Sequence, residues 1–474
     1  MLKLYNTESR TKVPFAKREV KLYTCGPTVY NFAHIGNLRT YVFEDLLKRT
    51  LKWLGMEVDH VMNLTDVDDK TIRGALGKKT SLEAFTKIYK EAFFEDIKTL
   101  NIEPADHYPA ATDYIPNMIK LIEKLMQEGI AYVGKDGSIY FSIKKFPSYG
   151  RLSHLTLDHL KVGASDRVAA DEYDKEAASD FVLWKAYDKE RDGLIFWESP
   201  FGPGRPGWHI ECSAMAMALL GETIDIHVGG VDNIFPHHEN EIAQSEACTG
   251  QCFVKHWMHS EHLLVDGKKM SKSLGNFYTL RDVLGKGFSG REMRYLLIAT
   301  HYRTPLNFTF EGLSASRHAL ERIHTFIERL TSFQETTSVT SLITSPLEKA
   351  KNLFKEALAD DLNISAALAA LFDLIREVNT LMDEKCFTEQ EASLVLGVLH
   401  DFDRVLGFLP FTSEPLSIPE KVQKAFEERQ RARANKEWKR ADELRQEILL
   451  QGFVIEDTPS GARLKIQKDS FQER

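Results

Sequence analysis

The stretch between residues 20 and 64 constrains the fold more than any other part of the sequence. The apolar run Val20–Cys25 predicts a strand, which Gly26-Pro27 ends. Apolar residues then recur with the period of a helix, at positions 38, 42, 46, 47, 51 and 54. Val58–Leu64 predicts a second strand. Strand, helix and strand within about 45 residues form the βαβ unit of a parallel sheet, whose ligands bind at the carboxyl ends of the strands, where Cys25 lies.

The rest of the chain predicts several further regions. At 474 residues the chain is too long for one compact core. A change of composition between Gly134 and Gly207 predicts an insertion at about 115–207. Prolines at 410, 415 and 419 predict a linker, and a charged helix at 420–451 and a strand at 453–455 are expected after it. Helices are also predicted at 115–129, 236–248, 312–331, 346–360, 364–384 and 388–407, and a strand at 223–228.

These elements predict an α/β fold class: a Rossmann-like parallel-sheet catalytic domain with an insertion, an α-helical bundle, and a small mixed α/β C-terminal domain. We expect the first domain at 1–311, including a lysine-containing region at about 255–311. The helical bundle is expected at 312–408 and the C-terminal domain at 420–474.

Composition excludes several classes of protein. Hydrophobic residues make up 43% and charged residues 27%, as in a folded globular chain rather than a disordered one. No uncharged apolar stretch reaches about 18 residues and the first residues lack a signal-peptide core, so we expect a cytoplasmic protein. Five cysteines are typical of reduced thiols or a metal site rather than a disulfide scaffold. A net charge of −8 argues against a chain coated with basic residues, although a local basic face is enough to bind phosphates.

The tetrapeptide His34-Ile35-Gly36-Asn37 lies where the first predicted helix begins. A helix N-terminus offers unpaired N–H groups and the positive end of the helix dipole, and both suit a phosphate. Gly36 lets the backbone approach a ligand, and His34 can donate a hydrogen bond to a phosphate oxygen. Taken alone, the tetrapeptide is a weak signal, because a histidine at a helix start is more often a surface or capping residue.

A second segment, here called the lysine loop, covers Lys268–Asn276 and reads Lys-Lys-Met-Ser-Lys-Ser-Leu-Gly-Asn. Lys269 and Lys272 lie three residues apart beside serines, so they can neutralise a triphosphate and follow its charge to the leaving pyrophosphate. A solvated turn is the alternative interpretation. The presence of the tetrapeptide and the lysine loop in this order favours nucleotide binding.

A metal site is the third feature. His237 and Glu241 are four residues apart on one face of a predicted helix, so both can bind one ion, while His238 is three residues from Glu241. Spacing alone does not show which further residues join them. A rival group, Cys248, Cys252 and His256, has no evident fourth ligand.

An aspartate-rich segment is the last candidate. Asp66, Asp68 and Asp69 lack the glycine and the glutamate of a calcium loop, so we interpret them as polar residues at a strand end.

Together these segments resemble the two signatures of class I aminoacyl-tRNA synthetases, and the residues around them are similar to the cysteinyl-tRNA synthetase family. The resemblance extends over nearly the whole chain. The matching stretches are 23–30, 63–70, 207–213, 227–232, 235–241, the lysine loop, and 435–459.

The resemblance implies roles for particular residues. One zinc ion per chain is implied to bind Cys25, Cys212, His237 and Glu241. A cysteine pocket is implied at Thr28, Thr65, Trp208 and His227. ATP, with Mg²⁺, is implied to bind His34, Gly36, Asn37, Gly230, Asp232 and Lys272. The catalytic residues are implied to be His34, Asn37, Lys269 and Lys272.

The implied reaction has two steps. The cysteine carboxylate attacks the α-phosphate of ATP, and the terminal ribose 2′-OH of tRNA(Cys) then attacks the activated carbonyl. Zinc prefers a thiolate to a hydroxyl, so serine is rejected without a separate editing site. Asn37 stands where the commonest form of the signature has a second histidine, and it can donate a comparable hydrogen bond. The resemblance also suggests a monomer.

A basic segment near the end of the chain predicts a tRNA contact. With the aromatic Trp438 it can meet anticodon phosphates and a splayed base, although a solvated amphipathic helix is equally compatible with it. Its cations are Arg429, Arg431, Arg433, Lys436, Lys439 and Arg440. Two other functions stay open: a cysteine-activating ligase with a small-amine acceptor, and a non-catalytic tRNA-binding paralogue.

Overall fold

The structure is a computed structural model that describes residues 1–155, 180–271, 274–334, 342–411, 420–435, 437–451, 453–458 and 461–466. The chain divides into two compact units, Met1–Leu409 and Pro410–Arg474. Each unit has an apolar core of its own. Within the described part of the chain, no helix combines the length and the apolar character needed to cross a membrane.

A four-stranded parallel sheet, here called the central sheet, lies at the centre of the first unit. From one edge to the other its strands are Val254–Ser260, Ile224–Gly230, Glu19–Thr24 and Glu57–Met62. The helix Ile35–Trp53 connects the last two and is here called the signature helix, because it begins at the tetrapeptide. The predicted βαβ unit is therefore confirmed.

Burial explains why this unit forms. Val20, Leu22 and Tyr23 are buried in the sheet, as expected for an apolar run in a parallel strand. The signature helix ends at Trp53, and Gly55, with φ at +89°, turns the chain back towards the next strand. A residue with a side chain would be strained at that φ value.

The strand Glu19–Thr24 lies at a topological switch point of the central sheet. It pairs with Glu57–Met62 on one side and with Ile224–Gly230 on the other. The strand that follows it in the sequence therefore lies on one side of it, and the later strands of the sheet lie on the other. Ligands of such sheets bind in the crevice at this point, outside the carboxyl ends of the strands. Cys25 and Gly230 both lie at this edge.

A second, antiparallel sheet, here called the insertion sheet, lies within the segment predicted as an insertion. In order, its strands are Ala131–Val133, Ile139–Phe141, Phe181–Ala186 and Gly204–Pro206. Its apolar residues share one core with the helices Ile115–Gln127 and Trp208–Leu220. A single residue, Gly207, separates the last strand from the helix Trp208–Leu220, so the insertion sheet leads the chain directly to the edge of the central sheet.

The remaining helices confirm the predicted periodicity with small shifts at their ends. The predicted run of four helices corresponds to Phe310–Thr331, Thr344–Ala359, Ile364–Asp383 and Glu389–Leu406. The helix predicted at 236–248 begins later, at Glu239, because Ile234–His238 forms a wider turn. Other described elements include the strands Leu2–Asn6, Thr11–Phe15, Leu263–Val265, Lys268–Lys269 and Leu306–Phe308, and the helices Asp69–Gly77, Leu82–Thr99, Leu280–Gly285 and Gly290–Ala299. Short helical turns lie at Ala111–Tyr114, Ile143–Lys145, Lys189–Asp192 and Val231–Asn233.

The structure of the second unit differs from the sequence prediction. The prediction of a single charged helix at 420–451 is wrong. The segment forms two helices, Glu420–Ala434 and Trp438–Leu450, followed by a hairpin of the strands Phe453–Thr458 and Gly461–Ile466. The reversal packs Val422 against Leu444 and Ile448 in a small apolar core. A straight helix would leave these side chains in water. The free energy gained by burying them favours two packed helices over one continuous helix.

The basic segment of the second unit is divided between its core and its surface. Arg429 is buried, and Arg440 pairs with Glu428 and Glu443. Trp438, in contrast, keeps 59% of its surface exposed. Lys436 lies outside the described residues. Trp438 is therefore accessible to a ligand, as are the exposed Arg431 and Lys439.

Candidate active site and metal centre

Four side chains from distant parts of the sequence meet at the carboxyl edge of the central sheet. Cys25 follows the strand Glu19–Thr24, Cys212 lies on the helix Trp208–Leu220, and His237 and Glu241 lie one helical turn apart. Their sulfur, imidazole nitrogen and carboxylate oxygen atoms all lie within 4.8 Å of one another. Two thiols, an imidazole and a carboxylate are donors that zinc accepts in a tetrahedral site.

Hydrogen bonds orient two of these side chains. His237 Nδ1 lies 2.9 Å from His209 Nδ1, and Glu241 Oε2 lies 3.0 Å from His227 Nε2. The other carboxylate oxygen, Glu241 Oε1, is buried and has no hydrogen-bond partner within the described part of the chain. It lies 3.1 Å from His237 Nε2. A buried carboxylate oxygen in this position is suited to share a cation with the imidazole.

Burial favours the neutral form of three imidazoles near the cluster, those of His209, His238 and His259. Desolvation, with a smaller contribution from neighbouring histidines, lowers the pKa of His209 and His238 well below its usual range. Desolvation also lowers the pKa of His259 to about 3. The neutral imidazole is the form that binds a metal ion or supports a metal ligand.

The two cysteines differ in acidity. The hydrogen bond from Cys25 lowers the pKa of Cys212, whereas the same contact and burial raise the pKa of Cys25. The contact between the two sulfur atoms thus favours the thiolate of Cys212. The thiolate is the form of cysteine that binds a metal ion.

A second group of potential ligands overlaps the first. Cys25 and Glu241 also lie within 4.8 Å of His227 and His238. His238 Nε2 lies 3.2 Å from Cys25 Sγ but 3.9 Å from Glu241 Oε1, whereas His237 Nε2 lies 3.1 Å from the same oxygen. The first group differs from the second by containing a second thiol, that of Cys212. The rival group of cysteines at 248 and 252 with the histidine at 256 is not one of the clusters that the described residues form.

The predicted cysteine-pocket residues converge on the same edge of the sheet. Thr28 and Thr65 lie opposite each other in an isolated bridge, and Thr65 N–H donates to Pro27 O at 3.0 Å. The ring of Trp208 stacks on that of His237, with centroids 4.2 Å apart and planes at 23°.

His227, the fourth predicted pocket residue, is fully buried. Because its Nε2 bonds to Glu241, it lies directly behind a potential metal ligand.

The tetrapeptide caps the signature helix. His34 Nδ1 accepts from Asn37 N–H and Asn37 Oδ1 accepts from His34 N–H, both at 3.2 Å. This reciprocal capping box explains why asparagine is compatible with this position, since its carbonyl oxygen satisfies the capping residue while its Nδ2 remains a donor. A side chain at Gly36 would lie 3.0 Å from the His34 ring and 3.4 Å from Met270 Cε, so the glycine keeps the tetrapeptide close to the lysine loop.

The lysine loop continues from a short strand. Lys269 is exposed, Ser271 N–H donates to Asn276 Oδ1 at 2.8 Å, and Asn276 Nδ2 donates to Lys269 O at 3.2 Å. Lys272 lies outside the described residues. Ile35 N–H donates to Tyr278 O at 2.9 Å, which joins the signature helix to the segment after the loop.

The remaining predicted ATP residues lie where the strand Ile224–Gly230 ends. Gly230 N–H donates to Asn233 Oδ1 at 3.0 Å. Asp232 is exposed, with a carboxylate oxygen 3.6 Å from His262 Nδ1. Both residues therefore lie at the carboxyl edge of the central sheet, as the predicted nucleotide site requires.

Sequence reasoning assigned no role to His209, His259 or Tyr23, although all three contact the cluster or its neighbours. His259 Nε2 lies 2.8 Å from His238 Nδ1, and the buried Tyr23 ring packs edge-on against His227. Tyr23 and His209 lie within stretches that carry the family resemblance, and this was the available signal for them. Which partners these side chains meet depends on packing between distant segments.

The fold defines the class of protein. The structure superimposes on Mycobacterium tuberculosis methionyl-tRNA synthetase with a TM-score of 0.60 at 13% sequence identity. The match covers 83% of this chain and 90% of the synthetase. A leucyl-tRNA synthetase of Agrobacterium radiobacter gives a TM-score of 0.57 at 14% identity, over 84% of this chain and 86% of that one. The model of the class I (C) tRNA synthetase catalytic domain matches residues 11–318. The fold is that of a class I aminoacyl-tRNA synthetase.

Sequence comparison narrows the class to one family. A DALR domain matches residues 353–410, and a cysteinyl-tRNA ligase anticodon binding domain matches residues 417–463. The cysteine–tRNA ligase of Protochlamydia amoebophila is 60% identical and that of Chlamydia caviae 59% identical, each over 98% of both chains. The chain belongs to the cysteine–tRNA ligase family of aminoacyl-tRNA synthetases.

Proposed function

We propose that this ligase activates L-cysteine with ATP, transfers it to the 3′-terminal ribose of tRNA(Cys), and selects cysteine by binding its thiolate to a zinc ion. The observation that carries the proposal is the largely buried cluster of Cys25, Cys212, His237 and Glu241 at the carboxyl edge of the central sheet. A metal ion bound by this cluster would lie at the same edge of the sheet at which the signature helix begins, where we propose that the α-phosphate binds.

The donor set is compatible with zinc. One ion per chain would bind the four side chains, and when bound it would favour the thiolate of the substrate over a hydroxyl. The protein holds the ligands ready, because His209 orients His237 and His227 orients Glu241. Serine offers no thiolate and is rejected at the binding step.

The pocket itself confines the amino acid. Trp208, stacked on His237, forms one side, and Thr28 and Thr65 form the other. The aromatic ring excludes water from the side chain, and the threonine hydroxyls can orient the polar end of the substrate.

Activation needs positioned charge rather than an enzyme nucleophile. The N-terminus of the signature helix, with His34, Gly36 and Asn37, binds phosphate oxygens, while Gly230 and Asp232 hold the nucleoside end. Lys269 and Lys272 neutralise the charge that moves to the leaving pyrophosphate, which departs with Mg²⁺. The cysteine carboxylate bonds to the α-phosphorus as the bond to pyrophosphate breaks.

The second unit supplies the tRNA contact. Trp438 is exposed and can stack on an unpaired base, with Arg431, Arg433, Lys436 and Lys439 meeting phosphates. We propose that the enzyme acts as a monomer in the cytoplasm.

The direct test is ATP-dependent charging of bulk tRNA with each of the twenty labelled amino acids in parallel. Charging with cysteine alone is the expected result. If no amino acid is charged, the proposal fails, and transfer of cysteine to small amines, followed by tRNA binding without catalysis, would separate the two alternatives.

A further inference from the structure

An ion cluster joins the insertion sheet to the segment that carries the cysteine pocket. Asp69 is the first residue of the helix Asp69–Gly77. Its Oδ2 atom accepts from Lys185 Nζ at 2.5 Å, and its Oδ1 atom pairs with Arg205 Nη2. Both cations belong to strands of the insertion sheet, and Asp69 precedes this sheet in the sequence. A single carboxylate from outside the insertion therefore contacts two of its strands.

The two cations lie directly opposite each other on neighbouring antiparallel strands, where Lys185 is the register partner of Arg205. Like charges in this position destabilise a strand pair. The side chain of Arg205 is only 2% exposed, so water screens the repulsion poorly. Asp192 accepts from Arg205 Nε at 3.0 Å, but it also pairs with Arg191. The strand pair therefore depends on the carboxylate of Asp69.

Asp69 stays charged under any assay condition near neutrality. Although burial raises the pKa of this carboxyl, Arg205 and Lys185 together lower it to about 2. Its removal, rather than its titration, is thus the way to perturb the cluster.

Each end of the cluster lies close in sequence to a pocket residue. Thr65 precedes Asp69 by four residues, and Trp208 follows Arg205 by three. Between Arg205 and Trp208 the backbone has little freedom, because Gly207 N–H donates to Leu183 O at 2.9 Å and a side chain at Gly207 would collide with the neighbouring strand. A displacement of Arg205 is therefore passed on to Trp208.

We propose that Asp69 is a positioning residue for the cysteine pocket, because by holding Lys185 and Arg205 together it sets the position of Trp208 relative to Thr65. Asp69 does not touch the amino acid in this scheme. The inference rests on the proposed activation of cysteine. It adds that Asp69 fixes the relative position of the two sides of the cysteine pocket.

The test is cysteine-dependent ATP–pyrophosphate exchange by the full-length, zinc-loaded enzyme. Asp69→Asn removes the charge and keeps the size of the side chain. The expected result is a rise of about tenfold in KM for cysteine, with KM for ATP changed by less than about twofold and with zinc content unchanged. Asp360→Asn is the matched control, because it removes a carboxylate that pairs with Lys12 at 2.7 Å and should leave both KM values unaltered.

A rescue separates positioning from general damage. Adding Lys185→Met to Asp69→Asn removes one of the two opposed cations, so KM for cysteine should return most of the way to the native value. If Asp69→Asn does not fold, Arg205→Lys is tested for the same selective rise in KM for cysteine. Lysine keeps the positive charge but lacks the guanidinium group that reaches both Asp69 and Asp192.

The outcomes distinguish this inference from the proposed function. An unmodified enzyme that supports no cysteine-dependent exchange would refute the function itself. An active enzyme whose Asp69→Asn variant keeps its KM for cysteine within about twofold, or raises both KM values equally, would overturn the positioning role.

Discussion

His209 and His237 lie side by side at the base of the site, with their Nδ1 atoms 2.9 Å apart. Because both rings are buried, one nitrogen donates and the other accepts, so the contact sets the tautomers of the pair. When His237 donates from Nδ1, its Nε2 atom carries the lone pair that a metal requires, and this atom faces Glu241 Oε1 at 3.1 Å. His209 thus prepares a ligand without being one.

Replacing His209 should therefore loosen the metal. We expect His209→Ala to lower zinc affinity by about 10- to 100-fold, the usual effect of removing the partner of a metal-bound histidine. Competition with a chromophoric chelator measures this affinity. His256→Ala is the control, because His256 is also buried but belongs to neither potential ligand group. Equal losses in both variants would contradict the orienting role.

Cys212 separates the two possible ligand groups, since it belongs to only one of them. We expect Cys212→Ser to lower zinc affinity and cysteine-dependent exchange together, by about tenfold or more, because a hydroxyl is a poor zinc ligand. Metal analysis after dialysis and exchange assays provide the two readouts, with Cys248→Ser as the control. Retained zinc with full activity would favour the group that contains His238.

His60 should make folding stability depend on pH. It belongs to the strand Glu57–Met62, its ring is buried beside Thr24, and desolvation with repulsion from Lys48 lowers its pKa to about 3. Unfolding frees it to bind a proton below its ordinary pKa of about 6.5, so its contribution is constant above that pH and declines as pH falls towards 3. The decline is about 1 kcal/mol per pH unit.

Denaturant unfolding at pH 7 and pH 5.5 measures this effect. His60→Asn cannot titrate, so it should lose about 1 kcal/mol less stability than the native chain between these two conditions. Identical losses in the two proteins would show that His60 binds a proton equally well in the folded and unfolded states, and would contradict the lowered pKa.

Asn37 should tolerate histidine but not alanine. Asn37→His keeps a side chain that can accept from the backbone of His34 and donate to a phosphate, so exchange activity should stay within about threefold. Asn37→Ala removes both functions, lowers stability by about 1 kcal/mol and slows activation by about 100-fold. Thermal unfolding and pre-steady-state adenylate formation measure the two effects. A fully active alanine variant would limit Asn37 to capping.

Local patterns predicted most of the fold. The strand Glu19–Thr24, the signature helix and the four helices after residue 310 follow from apolar periodicity, because each element buries one face or stripe. The prediction of a single charged helix at 420–451 was wrong, because periodicity cannot show that a chain reverses to bury Val422 against Leu444.

The sequence by itself determined which chemical groups are available. It supplied the tetrapeptide, the lysine loop, and the pairing of His237 with Glu241 by helical spacing, all of which depend on neighbours within a few residues. The family resemblance added Cys25 and Cys212, whose roles remain predictions.

Only the tertiary structure brought Cys25 and Cys212 within 4.8 Å of His237 and Glu241, and only it placed His209 behind one ligand and His227 behind the other. It also set Lys185 and Arg205 on either side of Asp69. These contacts join residues that are 14 or more positions apart in the sequence, so they follow from the order of strands in the sheets and from the packing of helices on them. No local propensity encodes that order, because it is the burial of shared apolar surface that selects it.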